Sequence, residues 1–249
     1  MSTYETLASC YDDFTGDVQY ERRARYLSRL LAVPKGEQLL ILDLACGTGT
    51  LTEIFTRAGH RMIGVDLSAD MLAVAANKFT ELSAEERPLL LQQRMTALRL
   101  PFTVDAAFCA LDSLNYLLRP EEVRRTFRAV AGVLRPGGRF AFDVHSISHL
   151  AALDGQVFSD ENEDACCIWH SAYCSRSQTI TYDMDIFRRE KGNLWRRSEE
   201  VHRERGYRAE ELSSWLTEAG FADIRITGDL TGKPPRAEEE RLYFSARRI

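Results

Sequence analysis

The chain has 249 residues, 45% hydrophobic and 28% charged, with a formal net charge of -5; this is ordinary globular composition, long enough for one sizeable core or a core with an appended lobe. The acidic balance makes nucleic acid an unfavoured partner, and the start MSTYETLASCYDDF has neither the basic opening nor the apolar run of a signal peptide. No segment approaches the roughly 18 apolar residues of a membrane span, so a cytoplasmic protein with no membrane partner is expected.

The first periodic segment is YERRARYLSRLL, an amphipathic helix from Tyr20 to Leu31 stopped by Val33-Pro34-Lys35-Gly36. Apolar strands then alternate with helical stretches. Leu39 to Ala45 reads as a buried strand, TLTEIFTRAG as a helix closed by Gly59, Arg61 to Ser68 as a second strand and ADMLAVAANKF as a second helix. PLLLQQRM from about Leu89 and Val104 to Leu111 are further strands, the latter apolar on both faces as a central parallel strand should be. PEEVRRTFRAVAGVL is a helix with Pro120 in its first turn, and Arg135 to Gly138 a turn into the strand RFAFDVHS.

Beyond Ser146 the texture changes to alternating polar and apolar residues. Cys166 to Ser175, Gln178 to Arg188 and Leu194 to Arg205 read as three antiparallel strands, with Lys191 to Asn193 as a hairpin turn. The helix RAEELSSWLTEAG and the strands FADIRIT and LYFSARRI close the chain. The fold class expected is α/β: a Rossmann-like, doubly wound, mostly parallel sheet of seven strands with a small inserted antiparallel sheet. The organisation expected is one domain over 1–249: a helical cap (1–35), a cofactor-binding core (36–146), the inserted sheet as lid or substrate side (150–206) and a completion of the core (207–249).

The stretch LDLACGTGT, Leu42 to Thr50, follows a strand and opens a helix, where exposed amides face a ligand. It lacks the third glycine of a dinucleotide fingerprint, which counts against a nicotinamide oxidoreductase. Asp43 before the glycines would repel a pyrophosphate but favour an ammonium or sulfonium. Asp66, about twenty residues on at the end of the next strand, is placed to take ribose hydroxyls; its competing role is to start the following helix, for which Ser68 is the alternative cap. The six cysteines lack paired CxxC spacing, so reduced thiols and no metal are expected.

The residues Asp43-Leu44-Ala45-Cys46-Gly47-Thr48-Gly49, Asp66 and the turn Arg135 to Gly138, in this order and spacing, resemble the class I S-adenosylmethionine-dependent methyltransferases. A closer resemblance is to small bacterial members with an N-terminal Tyr-Asp pair, here Tyr11-Asp12, and a DSLNYL segment, here within Cys109 to Leu117. The resemblance implies S-adenosyl-L-methionine as cofactor and S-adenosyl-L-homocysteine as product. It implies cofactor contacts at Tyr11, Tyr20, Asp43, Ala45, Cys46, Gly47, Gly49, Asp66, Leu67, Met71, Met95, Cys109, Asp112 and Asn115. Arg94 stands where relatives carry an acidic residue toward adenine, so backbone of Met95 or Thr96 is expected to replace it.

Methyl transfer needs alignment more than a nucleophile, so no triad is expected. His145 is the candidate base, its other role being to bond a nearby loop; Tyr116 is the candidate acceptor-side group, its other role being packing. His170, Tyr182 and His202 lie on inserted strands whose facing cannot be read without knowing the register. The activity expected is methyl transfer to nitrogen or oxygen of a small molecule. Alternatives are a protein or RNA acceptor and a noncatalytic cofactor- or partner-binding module; monomer and homodimer stay open.

Overall fold

The computed structural model describes residues 11–249, apart from the side chains of residues 11, 13 and 17. The Tyr11 side chain, expected over the cofactor, therefore lies outside the described residues. A short helix α1 (Tyr11–Phe14) precedes α2 (Tyr20–Leu30). The core then runs β1 (Leu40–Leu44), α3 (Thr50–Arg57), β2 (Arg61–Asp66), α4 (Ala69–Lys78), β3 (Leu89–Gln92), β4 (Val104–Cys109), α5 (Pro120–Val133) and β5 (Leu134–His145). After α6 (Ile147–Ala152) come β6 (Val157–Glu161), β7 (Ala165–Cys174), β8 (Thr179–Arg189) and β9 (Trp195–Arg205). The chain ends with α7 (Ala209–Glu218), β10 (Phe221–Gly228) and β11 (Arg241–Arg248).

Seven strands form one sheet in the order β10-β11-β5-β4-β1-β2-β3. Strands β1 to β5 pair in parallel, and β11 inserts antiparallel between β5 and β10. The strand order reverses between β1 and β4, which opens a crevice at their carboxyl ends. Alternate residues of the strands serve opposite layers. Leu42, Ala107 and Phe140 pack with Phe127 and Val130 of α5 and Leu216 of α7, whereas Ile41, Phe108 and Ala141 pack with Leu27 of α2 and Phe55 of α3. Both faces of β4 are covered, which is why its sequence is apolar throughout.

The inserted sheet has four antiparallel strands, in the order β6-β7-β8-β9, rather than three. The additional strand, VFSDE, is a short acidic edge that pairs only with β7, and its charge hid it among loop residues. Helix α6, also unread in the sequence, is capped by Ser146, whose side chain accepts from the His149 amide. The turn Arg135 to Gly138 lies inside β5 as a register break: Leu134 pairs with Val104 and Arg139 with Ala106. Among the described residues no helix is long and apolar enough to cross a membrane.

Candidate active site

A cavity of about 1180 Å³ lies over the carboxyl ends of β1, β2, β4 and β5 and runs beneath the inserted sheet. Its floor begins at the glycine loop. Ala45 and Gly47 adopt left-handed backbone (φ 63° and 55°), so the chain turns sharply off β1, and a Cβ on Gly47 would meet nothing within 4 Å. Gly47 thus borders open cavity. Gly49, also left-handed, does not line it: a Cβ there would sit 3.0 Å from the Ala75 Cβ. Its glycine requirement comes from that left-handed backbone and from the close approach of Ala75 of α4.

Asp66 ties the loop to the next strand. Its carboxylate accepts from the Gly47 amide at 2.9 Å and from the Ser68 amide at 2.8 Å, while Ser68 caps α4 by accepting from the Met71 amide at 3.2 Å. Of the two roles weighed for this segment, the helix cap belongs to Ser68. Burial raises the Asp66 pKa against these backbone bonds. Asp43 is buried under the loop and accepts from the Thr52 hydroxyl at 2.6 Å. Burial pushes its pKa up to about 7, with Asp66 adding to the shift and the Thr52 bond opposing it. The loop is also held from outside: Asp12 of α1 accepts from the Thr48 hydroxyl at 2.6 Å and pairs with Lys78 at 2.6 Å.

On the other side of the crevice, Leu111 and Asp112 both adopt left-handed backbone (φ 57° and 52°). Such residues are strained unless their surroundings enforce them. Here the fully buried Asp143 of β5 accepts from both amides, at 2.9 and 3.1 Å, and is itself paired with Arg241. Arg241 also donates to Asp112 at 2.7 Å and lies 2.7 Å from Nε2 of His145, and Nδ1 of His145 lies 3.3 Å from Glu204. Burial opposes charge throughout this cluster and raises Glu204. Asp112 nevertheless stays below the usual range through His145 and Arg241, and His145 above it through Asp112 and Glu204. Asp112, His145 and Glu204 converge as metal ligands would, but the Arg241 guanidinium already stands between Asp112 and His145.

The inserted sheet supplies the roof. Register pairs Trp169 with Met184 and Tyr182 with His202, so these four share one face, turned to the cavity. His170, one residue out of phase, is exposed on the opposite face. Trp169 stacks on Phe158 at 5.7 Å, and the Tyr116 hydroxyl lies 3.1 Å from Nδ1 of His202.

Of the residues expected from sequence, Tyr20, Asp43, Ala45, Cys46, Gly47, Asp66, Leu67, Met71, Met95, Asp112, Tyr116 and His145 line the cavity together. Cys109 and Asn115 do not; both are fully buried. Asn115 accepts from the His145 amide at 3.0 Å and donates to the Arg205 carbonyl at 2.9 Å, so it joins β5 to the inserted sheet. Both ring nitrogens of His145 are engaged, which leaves neither directed at the cavity. Sequence reasoning missed Asp143, Glu204 and Arg241; none sits in a local motif, and the one available signal was inward phase on β9 for Glu204.

Residues 41–138 match a family described as a methyltransferase domain. A Bacillus subtilis (strain 168) protein assigned by its name to the methyltransferases, YqeM, is 35% identical over 247 residues, covering 98% of this chain and 97% of its own. The crystal structure of an S-adenosylmethionine-dependent methyltransferase from Clostridium acetobutylicum ATCC 824 shares the fold with a TM-score of 0.85 and 27% identity, covering 98% of both chains. The sugar N-methyltransferase KedS8 from Streptoalloteichus sp. ATCC 53650 is alike in fold, with a TM-score of 0.76 at 23% identity over 96% of this chain and 92% of that one. With a strand-order switch, a glycine loop and a carboxylate after the second strand framing one crevice, and with likeness along nearly its whole length, this chain belongs to the class I S-adenosylmethionine-dependent methyltransferases.

Proposed function

We propose that the enzyme transfers the methyl group of S-adenosylmethionine to a nitrogen or oxygen of a small, neutral or cationic molecule, by direct in-line displacement. The carrying observation is the division of one cavity between a core floor and an aromatic roof. On the floor, Asp66 takes the ribose hydroxyls, the Gly47 loop the methionine portion, Leu67 and Met71 the adenosine side, and Asp43 favours the cationic end of the donor. Beneath the roof, Trp169, Tyr182, Met184 and Tyr116 leave space suited to a compact acceptor with apolar or ring surface. The fold likeness to a sugar N-methyltransferase agrees with an acceptor of that size.

Charge narrows the acceptor further. Among the described residues the charged side chains lining the cavity are Asp43, Asp66, Asp112 and Glu122 beside Arg94, with Arg241 behind Asp112, a balance that favours a neutral or cationic acceptor over one carrying phosphate. Alignment supplies much of the catalysis, since orienting two reactants recovers roughly 7–11 kcal/mol. His145 serves as an anchor of Asp112 and its turn rather than as the base, because Arg241 and Glu204 hold its two nitrogens.

The test is incubation of the enzyme and methyl-labelled S-adenosylmethionine with a metabolite extract, followed by mass spectrometry. Label in a small amine- or hydroxyl-bearing product is the expected result. Label confined to protein or RNA would overturn the acceptor assignment.

A further inference from the structure

Helix α6 leaves the carboxyl end of β5 under the cap of Ser146, whose side chain accepts from the His149 amide at 3.0 Å, and the neighbouring Leu150 is fully buried. This first turn brings the His149 ring to the cavity wall, 4.8 Å from the ring of His145 between centroids. The two histidines differ in what holds them. His145 meets Arg241 and Glu204 through its two nitrogens, whereas among the described residues neither ring nitrogen of His149 has a hydrogen-bond partner. Neither of these nitrogens is shut away from solvent, so both remain accessible at the cavity wall.

The surroundings keep this ring uncharged. Burial first, then His145 and Arg241, hold its pKa below the usual imidazole value against Glu240 and Asp112, which pull it up. Strands β7 and β8 also pack against α6; the titratable group they turn to the cavity is Tyr182, whose pKa burial raises and which therefore brings no charge. An ordinary histidine titrates at about 6.5, so at neutral pH His149 is a neutral imidazole with a lone pair on one nitrogen. Its place in the fold matters as much. In the sheet order β5-β4-β1-β2, β5 lies two strands from β1, so a residue following β5 stands away from the proposed donor site and toward the inserted sheet.

Resting on the small-molecule reading above, we infer that His149, and not His145, is the base that takes the acceptor's proton during methyl transfer. The acceptor nitrogen or oxygen forms a bond to the methyl carbon as the carbon–sulfur bond breaks, its electron pair going to sulfur to give S-adenosylhomocysteine. The acceptor's N–H or O–H proton passes to the unprotonated ring nitrogen of His149. The imidazolium so formed faces Glu240 and Asp112 and returns to the neutral ring by releasing the proton to water. His149 touches the acceptor; His145 acts only through its hold on Asp112 and on the turn after β4.

The test reads how fast label passes from methyl-labelled S-adenosylmethionine into the small molecules of a metabolite extract, with the whole unaltered protein, H149A and H149Q. The donor is kept saturating at every pH, so that Asp43, which titrates at about 7, does not limit the rate. S-adenosylhomocysteine affinity is measured alongside by calorimetry. Both variants should label about a hundred-fold or more slowly, the low end of what a positioned base contributes, with S-adenosylhomocysteine affinity within about two-fold of the unaltered protein. The unaltered rate should fall on acidification below about pH 6.5, and the variants should lack that limb. Added imidazole should speed H149A but not H149Q, whose side chain fills the space. A rate in H149A within about three-fold of the unaltered protein would overturn the base, as would a loss matched by S-adenosylhomocysteine affinity, or a loss that keeps the acid limb and does not respond to imidazole. No small-molecule label from the unaltered protein, with S-adenosylhomocysteine still bound, would instead overturn the small-molecule reading and the base that rests on it.

Discussion

At Asp66 one carboxylate orders two backbone segments, the glycine loop and the start of α4, before any ligand is present. Replacing it with alanine removes both the proposed ribose acceptor and the tie to Gly47. D66A should therefore weaken S-adenosylmethionine binding by ten-fold or more in calorimetry, consistent with loss of charge-assisted bonds of about 1.5–3 kcal/mol. Asp43 makes a different prediction because its pKa is raised to about 7. A carboxyl with a folded pKa above its unfolded value penalises the fold once ionised, so ligand-free stability falls as pH climbs from about 4 toward 7 and stays lowered above that. A cation seated over Asp43 reverses the penalty, so binding near pH 7 should release a proton, visible as a dependence of the calorimetric heat on buffer ionisation enthalpy. D43N should abolish that release and raise the ligand-free melting temperature more at about pH 8 than at about pH 5.

Among the described α-helices, α1 is the shortest, and it makes two unlike attachments. Asp12 reaches the glycine loop and Lys78, whereas Phe14 packs against the inserted sheet at Ala165, Cys167 and Ile186. The Asp12 side chain is 40% exposed, and an ion pair with that much solvent is worth at most about 1 kcal/mol. Truncating a packed phenylalanine costs more, up to about 3–5 kcal/mol when fully buried and less at this half-buried position. F14A should thus speed limited proteolysis near the N-terminus more than D12A does, and added S-adenosylhomocysteine should slow cleavage less in F14A than in the unaltered protein. The inserted sheet shows the same dependence on small shifts. One residue of phase separates Trp169, which roofs the cavity, from His170, which points to solvent.

Across the whole molecule, Arg241 is the residue on which distant parts converge. It opens β11, pairs in register with His145 of β5, and binds Asp143 and Asp112, so it closes the sheet and the strained turn after β4 together. Removing one member of such a buried pair leaves uncompensated charge and costs about 3–5 kcal/mol. R241M should lower the urea midpoint accordingly and weaken S-adenosylmethionine binding through the released Leu111–Asp112 turn. R241K, which keeps the charge but loses the forked geometry, should recover only part of either loss.

The sequence by itself determined the strand and helix order of the core, the glycine loop, the position of Asp66 and the Ser68 cap, because these rest on local periodicity and on bonds between residues close in the chain. It also held enough to place twelve of the proposed site residues around one cavity, since all but Tyr20 lie at or soon after the carboxyl end of a strand. Only the tertiary structure decided that Gly49 lies against Ala75 of α4, that Asn115 joins two sheets, and that His145 is held by Arg241, 96 residues away in the chain. It alone brought Tyr116 to His202 across 86 residues. Such pairings depend on which strand inserts beside β5 and on the register of β9, and long-range pairing and register leave no trace in the spacing of a single chain.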